Sequence, residues 1–202
     1  MNFAKKRIAI FCSGSGSNAQ KIMEYFAPPH SNAEIVLLLS NKPDAFALER
    51  ARAMGVPTFV FGRADFYQSR NVIEKLQAEA IDLVVLAGFL WLVPTSLVEA
   101  FEDRIINIHP ALLPKFGGKG MYGHHVHEAV KVAGEKFSGM TIHLVNQEYD
   151  SGQVLFQAEC NISEADSPTD IAAKVLALEH QHFAPTIERY LNQISVHEIR
   201  PR

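Results

Sequence analysis

The stretch Arg7-Ile8-Ala9-Ile10-Phe11-Cys12-Ser13-Gly14-Ser15-Gly16-Ser17-Asn18 decides the fold. Arg7–Cys12 is an almost unbroken apolar run, the composition of a strand buried on both faces. It passes through small residues directly into Asn18–Phe26, whose apolar positions recur at helical spacing. A strand feeding a helix through a tight turn is the start of a βαβ unit, and the same alternation continues downstream. Glu34–Leu39, Thr58–Phe61, Asp82–Ala87 and Arg104–Ile108 read as strands. Ala45–Met54, Phe66–Ala80 and Thr95–Phe101 read as helices, with polar starts at Ser17 and Asp65 and with Pro94 near a first turn. The repetition predicts an α/β fold, a Rossmann-like open twisted mostly parallel sheet with helices on both faces.

After Ile108 the rhythm changes. A glycine-rich loop, Pro114–Gly123, precedes a helix near His125–Ala133. Gly139–Val145 and Val154–Ile162 then read as strands, and the longest helix starts at Ser167-Pro168-Thr169-Asp170 and runs to about Leu191. This predicts an antiparallel C-terminal portion. No linker or repeat interrupts the chain, so residues 1–202 are expected to form a single domain whose two functional halves meet at the carboxyl ends of the strands.

Composition narrows the function. Of 202 residues, 48% are hydrophobic and 20% charged, ordinary values for a globular domain, and the formal net charge of -3 gives no bulk attraction to nucleic acid. The apolar run after the basic start Met1–Arg7 is too short for a signal sequence, and no segment is long enough for a membrane span. Cys12 and Cys160 have no metal-type spacing and read as reduced core residues of a cytoplasmic protein.

Three segments carry candidate chemistry. Ser13–Asn18 lies between a strand and a helix, where small residues admit a ligand and free helix amides hold a phosphate. Gly14, Gly16 and Ala19 also fit the dinucleotide spacing, but Ser40-Asn41-Lys42 stands where such a site needs a ribose-binding acid. A phosphate monoester therefore fits better than a dinucleotide, with a plain tight turn as the bland alternative. Asn107-Ile108-His109-Pro110 ends a buried strand, and residues two apart on a strand point to one side. Asn107 offers an amide donor to a developing oxyanion, and His109 titrates near neutrality. Glu148-Tyr149-Asp150-Ser151-Gly152 is a turn whose Asp150 would orient His109 and favour its charged form if the two meet. Taken singly, a core histidine explains His109 equally well, and an ordinary Asp-containing turn explains the Asp150 segment better. His124, His125 and His127, and His180 with His182, lack any cysteine pair and read as solvated or substrate-lining rather than metal ligands. Lys115 and Lys119 read as surface charges.

Together these segments resemble the folate-dependent formyltransferase family over nearly the whole chain. The motifs are Ser13–Asn18, Ser40–Arg50, Leu86-Ala87-Gly88-Phe89, Asn107–Lys115, Asp150–Val154 and Glu179-His180. Asn-x-His-Pro-x-Leu-Leu-Pro with a distant Asp is shared across the family, and Ser-Gly-x-Gly-Ser-Asn marks the branch that formylates a ribonucleotide amine. A length of 202 residues fits neither the branch with a second basic domain nor the one with an N-terminal regulatory domain. The resemblance implies transfer of a formyl group from 10-formyltetrahydrofolate to phosphoribosylglycinamide. It places the phosphate on Gly16, Ser17 and Asn18, with Glu179 at the ribose or glycinamide. The formyl-folate would lie against Leu90, Trp91, Leu92 and Val93 and the loop of Asn146, Gln147, Glu148, Tyr149 and Asp150, with Arg70 near the glutamate tail. Asn107, His109 and Asp150 would be the catalytic trio, with no metal. Residues to about 100 would then serve the phosphate, and about 101–202 the formyl-folate and the chemistry. The expected state is a cytoplasmic monomer or weak homodimer with small-molecule substrates, no nucleic acid and no membrane.

This chain departs from the family pattern at Trp91, where a basic residue is frequent, and in the long glycine-rich loop Phe116–His125. A folate hydrolase, a formyltransferase for another amine, a non-catalytic nucleotide-binding module and an NADP-dependent reductase using Lys42 are the alternatives.

Overall fold

The computed structural model describes residues 5–198, so Met1–Ala4 and the last four residues of the expected domain lie outside the described residues. The elements run β1 (Lys6–Phe11), α1 (Ser17–Phe26), β2 (Ala33–Ser40), α2 (Phe46–Ala53), β3 (Thr58–Val60), α3 (Arg63–Tyr67) and α4 (Asn71–Ala78). They continue with β4 (Leu83–Leu86), α5 (Thr95–Ala100), β5 (Ile105–His109), α6 (His124–Val132), β6 (Phe137–Leu144), β7 (Val154–Asn161) and α7 (Pro168–Glu198). The strands form one sheet in the order β3-β2-β1-β4-β5-β6-β7. β1 to β5 are mutually parallel, and β6 and β7 add antiparallel pairs, as the pattern predicts.

The central parallel strands bury both faces, whereas the edge strand β3 does not. In β1, Ile8 and Ile10 pack with Ile22 and Phe26 of α1 and with Val175, Phe183 and Ile187 of α7. Ala9 and Phe11 face the opposite layer, against Phe61, Phe66, Leu76 and Leu97. The period of two in the strand thus feeds two separate cores, which is why β1 and β4 read as unbroken apolar runs.

The structure corrects several expected elements. The helix expected over Phe66–Ala80 is two, because Ser69 Oγ donates to the Asp65 carbonyl (3.2 Å) and accepts from the Asn71 amide (3.3 Å), competing with the helical ladder. The first of them starts at Arg63, where the Asp65 carboxylate accepts from the Gly62 N–H (2.9 Å). Ser17 does not cap α1. Gly16 occupies that position in the left-handed region, φ 74°, and no side chain satisfies the first amides. α7 extends to Glu198. Cys12 and Cys160 are free thiols, but Cys160, on the edge strand β7, is only half-buried rather than core.

Candidate active site

β5 ends the parallel run, and the antiparallel register sets His143 of β6 opposite Asn107. Asn107 Nδ2 lies 3.0 Å from His143 Nε2. Two residues on, His109 Nε2 lies 2.7 Å from the Phe116 carbonyl oxygen, and Nδ1 lies 3.5 Å from Asp150 Oδ2. The turn between β6 and β7 thus carries Asp150 back against both rings, its Oδ1 standing 3.6 Å from His143 Nε2. The Gly118 N–H donates to Asp150 Oδ2 at 2.9 Å, which ties the glycine-rich loop to the same carboxylate. Asp150 sits at φ 51°, a left-handed conformation that Asp tolerates better than most residues. The three residues expected from sequence therefore meet. His143, 2% exposed, completes a constellation that sequence reasoning missed.

The charge balance differs from expectation. Burial depresses the His109 pKa below the ordinary imidazole value. The Asp150 charge and the Phe116 carbonyl pull the other way without prevailing, and His143 adds to the depression. Asp150 therefore raises the proton affinity of His109 without making it a standing cation in the free protein. Burial would raise the Asp150 carboxyl in turn, but the facing His109 ring and the Gly118 N–H that donates to it hold it below the usual carboxylate range.

A cleft of about 760 Å³ opens over this cluster, a size suited to small molecules. Asn18 and Glu179 lie together on its wall. Asn18 Nδ2 donates to Glu179 Oε2 at 2.6 Å, and burial pushes the Glu179 carboxyl upward despite that bond. Asn18 Oδ1 is buried without a partner. Leu90, Trp91, Leu92 and Val93 line the cleft, as do Glu148, Tyr149 and Asp150. Gly16, Ser17, Asn146, Gln147 and Arg70 are not on its wall. Asn146 instead shapes the loop, its Oδ1 accepting from the Glu148 N–H and the Ser151 hydroxyl, each at 3.0 Å. The cleft draws on both halves of the chain, Leu90–Val93 from the first and Glu179 from the second.

Arg70 is exposed at the start of α4. Lys119 is on the cleft wall, whereas Arg63, off the wall, stands behind Trp91: its guanidinium lies over the rings of Tyr67 and Trp91, 5.3 and 5.2 Å from their centroids. Tyr67 Oη donates to the Leu92 carbonyl at 3.0 Å. Ser13 ties the turn before α1 to the Leu90 backbone, its Oγ donating to Asn41 Oδ1 (2.7 Å) and accepting from the Leu90 N–H (3.1 Å). Among the described residues, no group of three or more His, Cys, Asp or Glu is placed to hold a metal ion, and no helix is long and apolar enough to cross a membrane.

An open α/β sheet that gathers an amide, two imidazoles and a carboxylate in a cleft is an arrangement suited to acid–base chemistry on a small molecule. The chain belongs to the formyl transferase family, whose model matches residues 6–187. It is 35% identical to phosphoribosylglycinamide formyltransferase of Bacillus subtilis, over 92% of this chain and 95% of that one. It is 44% identical to the chloroplastic phosphoribosylglycinamide formyltransferase of Arabidopsis thaliana over 91% of this chain, and spans 64% of that relative's length. It spans 60% of the Vigna unguiculata counterpart. Among solved structures, phosphoribosylglycinamide formyltransferase from Anaplasma phagocytophilum superposes with a TM-score of 0.85 at 33% identity, covering 92% of this chain and 86% of that one.

Proposed function

We propose that this protein transfers the formyl group of 10-formyltetrahydrofolate to the amine of 5'-phosphoribosylglycinamide, a step of purine (IMP) biosynthesis. The observation that carries the reading is the meeting of Asn107, His109 and Asp150 in one cleft with Asn18, in the first turn of α1. The uncapped amides at Gly16, Ser17 and Asn18 hold the phosphate, and Glu179 takes the ribose or glycinamide portion. The pterin lies against Leu90–Val93 and the loop from Asn146 to Asp150. The protein works in the cytoplasm on small molecules, as a monomer or weak homodimer.

In this scheme the glycinamide nitrogen attacks the formyl carbon directly. Asn107 and His109 donate to the formyl oxygen as it gains charge, His109 exchanging its Phe116 carbonyl partner for the substrate. The proton released by the amine passes through water to His109, whose affinity for it Asp150 raises, and then to the departing N10 of the folate. The C–N bond formed and the C–N bond broken balance, and no proton is gained or lost overall. The direct test is tetrahydrofolate release with and without the ribonucleotide, alongside formylated product. Release that requires the ribonucleotide and matches product supports transfer, and release without it points to a hydrolase.

Two variants probe the assignment. Asp150→Asn removes the charge that raises the His109 pKa, so the acidic limb of the kcat/KM profile is expected to move to lower pH while the plateau falls. An unmoved limb would show that the carboxylate does not tune this ring. Arg63→Ala is expected to raise KM for formyl-folate about fivefold, the worth of roughly 1 kcal/mol for an exposed charge contact, and more than Arg70→Ala does. The opposite order would return the tail to Arg70.

A further inference from the structure

An amide that must donate to an oxyanion has to sit the right way round, and Asn107 has one neighbour able to decide this. His143 faces it across the β5–β6 pairing, buried to 2% exposure. His143 Nδ1 lies 2.8 Å from the Leu144 carbonyl oxygen, which only accepts, so Nδ1 carries a hydrogen. In the neutral ring Nε2 is then a bare acceptor. Asn107 Nδ2 lies 3.0 Å from it, whereas Asp150 Oδ1 stands at 3.6 Å, beyond hydrogen-bond range. The reversed amide would set Asn107 Oδ1 against the same lone pair, two acceptors facing each other in a buried place.

We propose that His143 is a positioning residue that locks the Asn107 amide with its nitrogen toward the ring. One N–H is spent on Nε2, and the second N–H and Oδ1 stay free for the reacting centre. No other side-chain partner holds Asn107 among the described residues. Without the ring the two amide orientations come close in energy, and part of the population presents oxygen where the transition state needs a donor. The role of Asn107 here rests on the function proposed above.

The first test needs no substrate. In ligand-free protein labelled with nitrogen-15 histidine, near neutral pH, the His143 signal is assigned as the one lost in His143→Gln. Its Nδ1 is expected to be protonated and its Nε2 bare, the reverse of the tautomer free histidine prefers. A protonated Nε2, in either the neutral or the doubly protonated ring, overturns the proposal. In the second test, with both substrates, His143→Phe is expected to lower kcat roughly 10- to 100-fold, within the range for losing an aligned oxyanion donor, with KM for formyl-folate changed less than about twofold. His143→Gln, whose Oε1 accepts the same N–H, is expected to recover most of the loss. A loss confined to KM, or a Gln variant as poor as Phe, defeats the positioning role. Wild-type protein that transfers no formyl group defeats the functional reading instead, and the tautomer measurement still decides how the amide is held.

Discussion

His109→Ala is expected to lower kcat for formyl transfer about a hundredfold or more, with both substrates still bound. Removing one aligned donor to a developing oxyanion costs roughly 2.7–4 kcal/mol of transition-state stabilisation. This ring is also the only buried imidazole within 3.5 Å of the Asp150 carboxylate among the described residues, so the variant loses the proton carrier along with the donor. The two losses act on one step, so combining His109→Ala with Asp150→Asn should cost little more than His109→Ala alone. The Phe116 carbonyl loses its partner too, and a fall of about 1 kcal/mol in stability accompanies the change without explaining it. Steady-state kinetics on the folded variant provide the check. Turnover near the wild-type value would remove His109 from the chemistry and leave the cleft as a binding site.

Gly16→Ala is expected to be nearly as damaging by a different route. At φ 74° a side chain is strained from the start. A Cβ there would also lie 2.5 Å from Ala47 Cβ and 2.7 Å from Ala47 Cα, so α2 itself would have to move. Backbone strain and overpacking together suggest a loss of about 2–5 kcal/mol, and the displaced loop takes the first amides of α1 with it. Urea unfolding and KM for the ribonucleotide should both change sharply. Gly14→Ala, where nothing lies within 4 Å of the added carbon, serves as the stability control. A Gly16→Ala protein with the midpoint of wild type would mean that α2 yields freely.

Much of the architecture is written locally. β1, β2, β4 and β5 are apolar runs because both faces are covered, and their spacing is visible without a structure. The split of α3 from α4 was hidden, since Ser69 breaks the ladder through side-chain bonds that leave the apolar spacing intact. Asn107 and His109 announced themselves by sharing a strand end. His143 did not, because a lone histidine in an alternating strand carries no local mark. Only the register that pairs it with Asn107 gives it meaning. Asp150 could be named as a partner of His109, but the charge state could not, since burial of the ring depends on how the loops close over it. Arg63 carries no local mark for a related reason: that the short helix α3 turns it onto the Tyr67 and Trp91 rings is visible only in the fold.

Ser13 has a consequence for the design of ligands. Its hydroxyl fastens the turn that opens onto α1 to the backbone of Leu90, so that turn and this part of the cleft wall are held together before anything binds. A single molecule that links a phosphate monoester to a flat heterocycle with a tether of matching length would meet anchor points already in place. Its second contact would form at an effective concentration in the millimolar range, so it should bind far more tightly than either fragment alone. Ser13→Ala should erode that advantage while changing the affinity of each fragment less.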